Sequence, residues 1–490
     1  MDNFGSVRFF YPELILAALA LLIVLVDLAV RRGKRAILTA VALIGLGIAF
    51  WSILDISRFR ELNLFSGMIA LDPFALFFKF FAVLVAILTV LFSYPTWEIA
   101  EKRMGEYLSL LLVVVIGIAI LAASVNLLMM YLAFEMVSVP CYILCGLRKR
   151  DLRSNEAALK YVIYGAFSSG MMLYGLSLIY GFTGTLDFYE IARVIEASPP
   201  YPLALFVAGL LVLVGFGYKI AAVPFHFWSP DVYEGAPTPV TAFLSVGPKA
   251  AGFAVIIRFF YVTLARGDLA ALSVTGGFDW PLLLAVISAV TMTLGNLTAI
   301  VQKNIKRLLA YSGIAHAGYL LMGVVVLSGD GLRAVLFYLT VYLFMNLGAF
   351  LVVIAIAEAT KKEEIDDYAG LGYRAPFTAV AMTVFLFALT GLPPTGGFVG
   401  KFYLFAALIK EEVYWLAVVG ILNSVISLFY YARIIKSMYL TRVEDGVPIG
   451  ISPIYSVLLG LLIVPTILFG LYWTPLVGFI HDSLRFYPFP

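Results

Sequence analysis

Charge is scarce in this chain. Only 13% of its 490 residues are Asp, Glu, Lys or Arg, against 62% hydrophobic residues, and the mean hydropathy is +1.00. A water-soluble domain with so little charge would precipitate, so lipid is the expected solvent. Cysteine is nearly missing too. Cys141 and Cys145 stand four apart in PCYILC. That spacing strains a disulfide and gives a poor metal site, so both read as buried neutral thiols. No cysteine set suits an iron–sulfur cluster, and no Gly-rich dinucleotide fingerprint follows a strand. A net charge of +3 offers nucleic acid no footprint. No cleavable signal peptide is expected. The first apolar run, 11–30, is long enough to span and has no small-residue cleavage site before Arg31-Arg32-Gly33-Lys34-Arg35.

What the chain does have is long apolar runs. A span needs about 20 apolar residues. On that basis fourteen spans are expected, near 11–30, 36–54, 71–94, 106–124, 125–147, 154–182, 201–228, 237–262, 281–300, 305–328, 331–358, 376–410, 413–440 and 453–480. The fold class is all-α and integral to the membrane, one polytopic domain over 1–490, with the seventh and twelfth helices broken. Lys and Arg are unevenly shared between the loops. Nineteen follow odd-numbered spans, eight lie on the opposite side and six fall inside spans. Positive charge favours the cytoplasm, which puts both termini outside, in the periplasm of a bacterial inner membrane.

Two blocks read as copies of one unit, 106–262 and 281–440. The fourth helix of each is broken and carries a lysine beside the break. Pro224 follows Lys219 by five residues, and Leu392-Pro393-Pro394-Thr395-Gly396-Gly397 precedes Lys401. The two broken helices are five spans apart, and an odd shift reverses orientation, so the repeat is expected to be inverted.

Ionisable residues lie where they are costly. Glu135 (YLAFEMVSVP), Lys219 (GFGYKIAAVPFHFW), Lys249 (SVGPKAAGF) and Lys401 (GGFVGKFYLF) sit within apolar spans. At roughly 3 kcal/mol each, four cost on the order of 12 kcal/mol, and such groups usually face a cavity, pair and carry ions or protons. At 1.5 Å per residue Glu135 lies roughly 15 Å deep, near the bilayer centre, and Lys249 is as deep. Lys160 (EAALKYVIYG) is only a turn or two inside the cytoplasmic edge, where snorkelling competes with a relay role. Lys79 is expected to snorkel, and Arg258 to reach an interface.

Proline cannot donate its backbone hydrogen bond and clashes with the carbonyl four residues earlier. Pro224 therefore frees the carbonyl of Ile220, and Pro393 and Pro394 free those of Leu389 and Thr390. Pro140 follows Glu135 by five residues and is expected to break the fifth span similarly. Irregular backbone at membrane depth survives where protein or water satisfies it, so Lys219 and Lys401 are expected to border small hydrated cavities. A lysine whose carboxylate partner withdraws, or which meets a second ammonium, tends to lose its proton. Lysines alternating with waters and a glutamate form a relay that needs no cofactor. His226 (PFHFW) and His316 (SGIAHAGY) are candidate intermediate stations. A lone intramembrane histidine is as often a hydrogen-bonded packing residue, and that alternative stands for both.

The stretch GFGYKIAAVPFHFWSPDVYEGAPTPVTAFLSVGPKAAGFA, with NIKRLLAYSGIAHAGY and TGLPPTGGFVGKFYLF, resembles the proton-conducting membrane subunits of respiratory complex I. These are similar to subunits of multi-component sodium/proton antiporters. The likeness is greatest to the N-type subunit of proton-translocating NADH:quinone oxidoreductase. Lys249 stands where L- and M-type subunits and antiporters usually show histidine, and the chain ends at Pro490, without the lateral helix of the L-type. The resemblance implies relay roles for Glu135, Lys160, Lys219, Lys249 and Lys401. It gives Lys306 a counterpart, beside the alternative of a plain cytoplasmic charge. It also implies that FMN, iron–sulfur clusters, NADH and quinone belong to partner subunits. The implied neighbours are an M-type antiporter-like subunit and small K-, J- and A-type subunits. A cation/proton antiporter subunit, a hydrogenase-linked or other-donor version of the membrane arm and a passive structural subunit are the rival readings.

Overall fold

A computed structural model describes residues 3–30, 32–59, 61–197, 202–265, 279–326, 328–441 and 447–484. Arg31, Arg60, Arg266, Arg442 and Arg485, used above for loop charge, lie outside the described residues, as does Pro490.

The described chain is almost wholly helical. A short α1 (Asn3–Val7) precedes α2 (Tyr11–Ala29) and α3 (Lys34–Ile56). A small antiparallel hairpin, β1 (Leu62–Leu64) and β2 (Ile69–Leu71), leads to α4 (Pro73–Ser93). Then come α5 (Met104–Ala123), α6 (Leu127–Cys145), α7 (Leu152–Thr183), a short amphipathic α8 (Phe188–Ala197), α9 (Pro202–Ile220), α10 (Trp228–Gly235) and α11 (Thr238–Phe259). The second half holds α12 (Trp280–Ile300), α13 (Ile305–Val326), α14 (Gly329–Thr360), a one-turn α15 (Leu371–Arg374), α16 (Pro376–Thr390), α17 (Gly396–Lys410) and α18 (Tyr414–Leu440). It ends with α19 (Pro453–Leu471) and α20 (Thr474–Ser483).

Thirteen of these helices are long and apolar enough to cross a membrane among the described residues. The expected twelfth span supplies the remaining crossing as two half-helices, α16 and α17. Side-chain caps set several starts. Asp72 accepts from Ala75 N, Asn126 from Leu128 N and Met129 N, and Asp151 from Arg153 N. Each satisfies a donor that the first turn leaves unpaired.

Both long breaks occur where expected. The seventh span stops at Ile220 and resumes as α10 at Trp228, and the twelfth is interrupted between Thr390 and Gly396. Pro140 is a correction. It lies inside α6, which runs on to Cys145 without interruption. One missing N–H does not end a helix whose neighbouring turns still bond and whose flanks pack in protein. Pro248, beside Lys249, is likewise accommodated inside α11.

Burial sorts the helices. Every residue of α11 is buried, and α13 and α14 are nearly as enclosed, whereas α6, α7, α12 and α18 each expose a face. The centre of the bundle is thus α11, α13 and α14, two of which carry Lys249 and His316.

Two cations depart from expectation. Lys79 does not snorkel: it is 3% exposed, with Nζ 2.6 Å from Glu13 Oε1, a close ion contact rather than an aligned hydrogen bond. Arg258 reaches no interface. It is fully buried and forks onto Asp72, at 2.8 and 2.7 Å, while its Nε donates to Ala122 O. In both cases the partner lies far away in sequence, so depth alone pointed to the wrong solution.

Candidate functional site: a buried line of amines

Lys219 occupies the last turn of α9, against the break. Its Nζ donates to Ser138 Oγ at 2.6 Å and lies 4.2 Å from the centre of the Phe134 ring. Ser138 is three residues after Glu135, so the ammonium sits one turn along α6 from the carboxylate. Glu135 itself is half-buried, and its Oε1 is buried without a hydrogen-bond partner among the described residues. Its carboxylate makes no ion pair with Lys160 or Lys219 among the described residues. Trp228 closes the break by donating Nε1–H to Tyr218 O at 3.0 Å.

Lys249 is the next amine. The Lys219 stem packs on Gly252, where an added methyl group would meet Lys219 Cγ at 3.1 Å. Gly252 and Lys249 are one turn apart on α11, so the two lysines adjoin the same helix face. Lys249 is 3% exposed, and its Nζ has no hydrogen-bond partner among the described residues. A methyl group at Gly313 would lie 2.7 Å from that Nζ and 3.3 Å from Tyr342 Oη. The glycine therefore makes room for an amine and a phenol, and the phenol is also unpartnered.

Tyr342 leads to His316, the ring centres being 5.2 Å apart. His316 Nδ1 lies 2.7 Å from Tyr338 Oη and Nε2 3.4 Å from Tyr431 Oη. Tyr319 packs on the same imidazole at 5.8 Å, and Lys401 Nζ sits 4.3 Å from the centre of the Tyr319 ring. Lys401 ends the line. It donates to Thr390 O at 2.9 Å and to Ser424 Oγ at 3.2 Å. Lys219, Lys249, His316 and Lys401 are all 3% exposed or less, so none faces acyl chains.

Three expected residues stand off this line. His226 is buried in the first break with Nδ1 unpartnered, and its ring packs on Phe227. Lys306 is wholly buried. It donates to Ala236 O at 3.1 Å and to Glu363 Oε1 at 3.0 Å, so it is a fixed ion-pair member rather than a free loop charge. Lys160 is 36% exposed and binds Asp231 at 2.5 Å and Glu156 at 2.7 Å.

Lys160 belongs to a second cluster that residue spacing did not single out. Asp231 also holds Arg307 at 2.5 Å. Arg307 in turn reaches Glu234 at 3.0 Å, and Glu234 lies 3.7 Å from Arg153. Asp231 and Glu234 are one turn apart on α10, in the quoted WSPDVYEG, which was the available signal. Asp231 is half-buried, and its carboxylate is held by two cations at once, Lys160 and Arg307. One carboxylate on the half-helix after the break thus ties α7 of the first half to α13 of the second.

Comparison with known proteins shows the family of the chain. Residues 124–427 match the family described as NADH:quinone oxidoreductase/Mrp antiporter, TM. The chain is 47% identical over 487 residues to NADH-quinone oxidoreductase subunit N 2 of Chloroherpeton thalassium, covering 97% of this chain and 94% of that one. It is 46% identical to subunit N of an Anaeromyxobacter species, covering 99% and 98%. Among solved structures it is similar to a chain of respiratory complex I from Thermus thermophilus, with TM-score 0.80, 31% identity and coverage of 95% and 98%. The fold is also shared with the archaeal membrane-bound sulfane sulfur reductase, at TM-score 0.86 and 24% identity over 98% and 96% of the two chains. The chain belongs to the subunit N family of NADH-quinone oxidoreductases, the antiporter-like membrane subunits of complex I.

Proposed function

We propose that protons cross this membrane subunit of NADH:quinone oxidoreductase along Lys219, Lys249, His316 and Lys401, while partner subunits pass electrons from NADH to quinone. Glu135 stands one turn from the first amine, and the Lys160–Asp231–Arg307 cluster forms the mouth on the Lys- and Arg-rich side. The supporting observation is that three buried amines and a buried imidazole from four helices follow one another through the bundle centre, with Gly252, Gly313, Tyr342 and Tyr319 among the residues between them. An ammonium arriving at one station repels the charge on the next, so protonation moves along the line as partners shift. Tyr342, Tyr338 and Tyr431 supply hydroxyls that both donate and accept, which a proton chain needs.

The inverted repeat belongs to the same reading. The helices α5, α6 and α7 have 20, 19 and 32 residues, and α12, α13 and α14 have 21, 22 and 32. Each series is followed by a broken crossing with a lysine at the break. FMN, iron–sulfur clusters, NADH and quinone are held by partner subunits, among them M-type and small K-, J- and A-type neighbours. The excess of loop cations sets the termini on the periplasmic side of a bacterial inner membrane. The test is Lys219→Ala in the assembled complex. NADH-driven proton uptake into vesicles falls while NADH oxidation by an artificial acceptor is unchanged. Full pumping by the assembled variant contradicts the reading.

A further inference from the structure

Outside the line of amines, the cations that the fold encloses or half-encloses sit on carboxylates: Lys79 on Glu13, Arg258 on Asp72, Lys306 on Glu363 and Arg307 on Asp231. One cavity breaks the pattern. It has a volume of about 930 Å³ and lies between segments 97–103 and 147–153, at the ends of α5, α6 and α7. Lys102, Arg103, Arg148, Lys149, Arg150 and Arg153 line it. Asp151 is taken by Arg148, and Arg153 leans toward Glu234. Glu98, the other carboxylate of the wall, turns to the start of α11, accepting from Thr238 N at 2.5 Å and Thr238 Oγ1 at 2.8 Å. Lys102, Arg103, Lys149 and Arg150 have no ion-pair partner among the described residues.

The wall is built rather than loose. Arg35 donates to the carbonyls of Tyr94, Thr96 and Ile99, fixing the turn that carries Trp97. Arg148 and Lys361 both lie over the Trp97 ring, at 5.5 and 4.4 Å. The lining is also partly apolar. Ile99 and Leu147 are buried in it, while Trp97 is 46% and Leu152 83% exposed. In the turns of α6 before Leu147, Ile143 and Val139 are exposed as well.

We propose that this cavity binds the phosphodiester headgroup of an anionic phospholipid, with Lys102, Arg103, Lys149 and Arg150 on its phosphate oxygens and its acyl chains on the outer face of α6. Four uncompensated cations around one cavity call for an anion. An exposed tryptophan and leucine at its lip, with apolar helix surface leading away from it, call for that anion to carry hydrocarbon. The cavity opens on the Lys- and Arg-rich side, where anionic leaflets add about 1 kcal/mol of attraction per cation.

The experiment uses the intact purified complex and a photoactivatable phosphatidylglycerol. Peptides containing 97–103 and 147–153 are labelled, and unlabelled phosphatidylglycerol competes whereas phosphatidylcholine does not. A Lys102→Gln/Lys149→Gln/Arg150→Gln variant binds the probe about a hundredfold more weakly, the effect of removing three such attractions. The competition arm needs no variant, so a misassembled mutant leaves it intact. Equal competition by phosphatidylcholine overturns the proposal. So does full competition by inorganic phosphate, which marks a free-anion site, or crosslinking of Lys149 to an acidic segment of a neighbouring subunit in place of lipid.

Discussion

Lys401 Nζ donates a 2.9 Å hydrogen bond to the carbonyl oxygen of Thr390, the residue four before Pro394. The proline withholds the N–H that this carbonyl would receive in a continuous helix, and the lysine takes its place. The break therefore does two things: it exposes a carbonyl at membrane depth and anchors an amine there. Lys401→Met keeps the length of the side chain and removes its charge and donors. The variant is expected to assemble and to lose NADH-driven proton uptake by about a hundredfold, the scale of losing one proton-transfer group. Proton uptake in vesicles, normalised to complex content, checks it. Lys401→Arg, which keeps the charge in a larger fork, should recover only part.

Gly313 tests the centre of the line from the opposite side. Alanine there puts a methyl group 2.7 Å from Lys249 Nζ, so the amine must move off its position near Tyr342. The displaced group is the end of a flexible chain, so assembly should hold while turnover falls several-fold. Gly47→Ala is the control, because nothing lies within 4 Å of an added methyl group there. Unchanged pumping by Gly313→Ala would show that the position of Lys249 does not matter.

The Asp72–Arg258 pair is expected to be structural. Both side chains are fully buried, and the guanidinium forks onto the carboxylate. Asp72→Ala leaves a buried cation without its counter-charge, at a cost of about 3–5 kcal/mol. It also removes the cap of α4. Thermal stability of the purified complex should fall and less assembled complex should be recovered. Replacing both partners with apolar residues should be milder than Asp72→Ala alone.

Asp231 joins the two halves, and its charge should matter more than its shape. Asp231→Asn leaves Lys160 with Glu156 and Arg307 with Glu234, so the cluster splits without stranding either cation. Assembly is expected to survive and pumping to slow. Proton uptake in vesicles, normalised to the amount of assembled complex, checks both expectations.

The sequence was informative where a local rule acts. Proline chemistry located both breaks and named the Thr390 carbonyl that Lys401 uses. At the first break it pointed to the carbonyl of Ile220, whereas the bond described there runs from Trp228 to Tyr218, because a tertiary contact closes that gap. Apolar run length found the crossings but missed α8 and the hairpin at Leu62–Leu71, which are too short for a span count. Pairings across the chain were not legible. Glu13 with Lys79, Asp72 with Arg258 and Asp231 with Arg307 each join residues dozens of positions apart, and helix depth says nothing about which neighbours arrive. Lys249 was legible as a buried charge, but its neighbours Gly313 and Tyr342 come from α13 and α14 and needed the packing.

The most direct measurement is the number of protons translocated per electron by the reconstituted complex carrying Lys249→Met. Lys249 Nζ has no hydrogen-bond or ion-pair partner among the described residues and only the Tyr233 ring at 5.7 Å, so a fall in that ratio with the complex assembled is the result this account predicts. A ratio equal to wild type would contradict it.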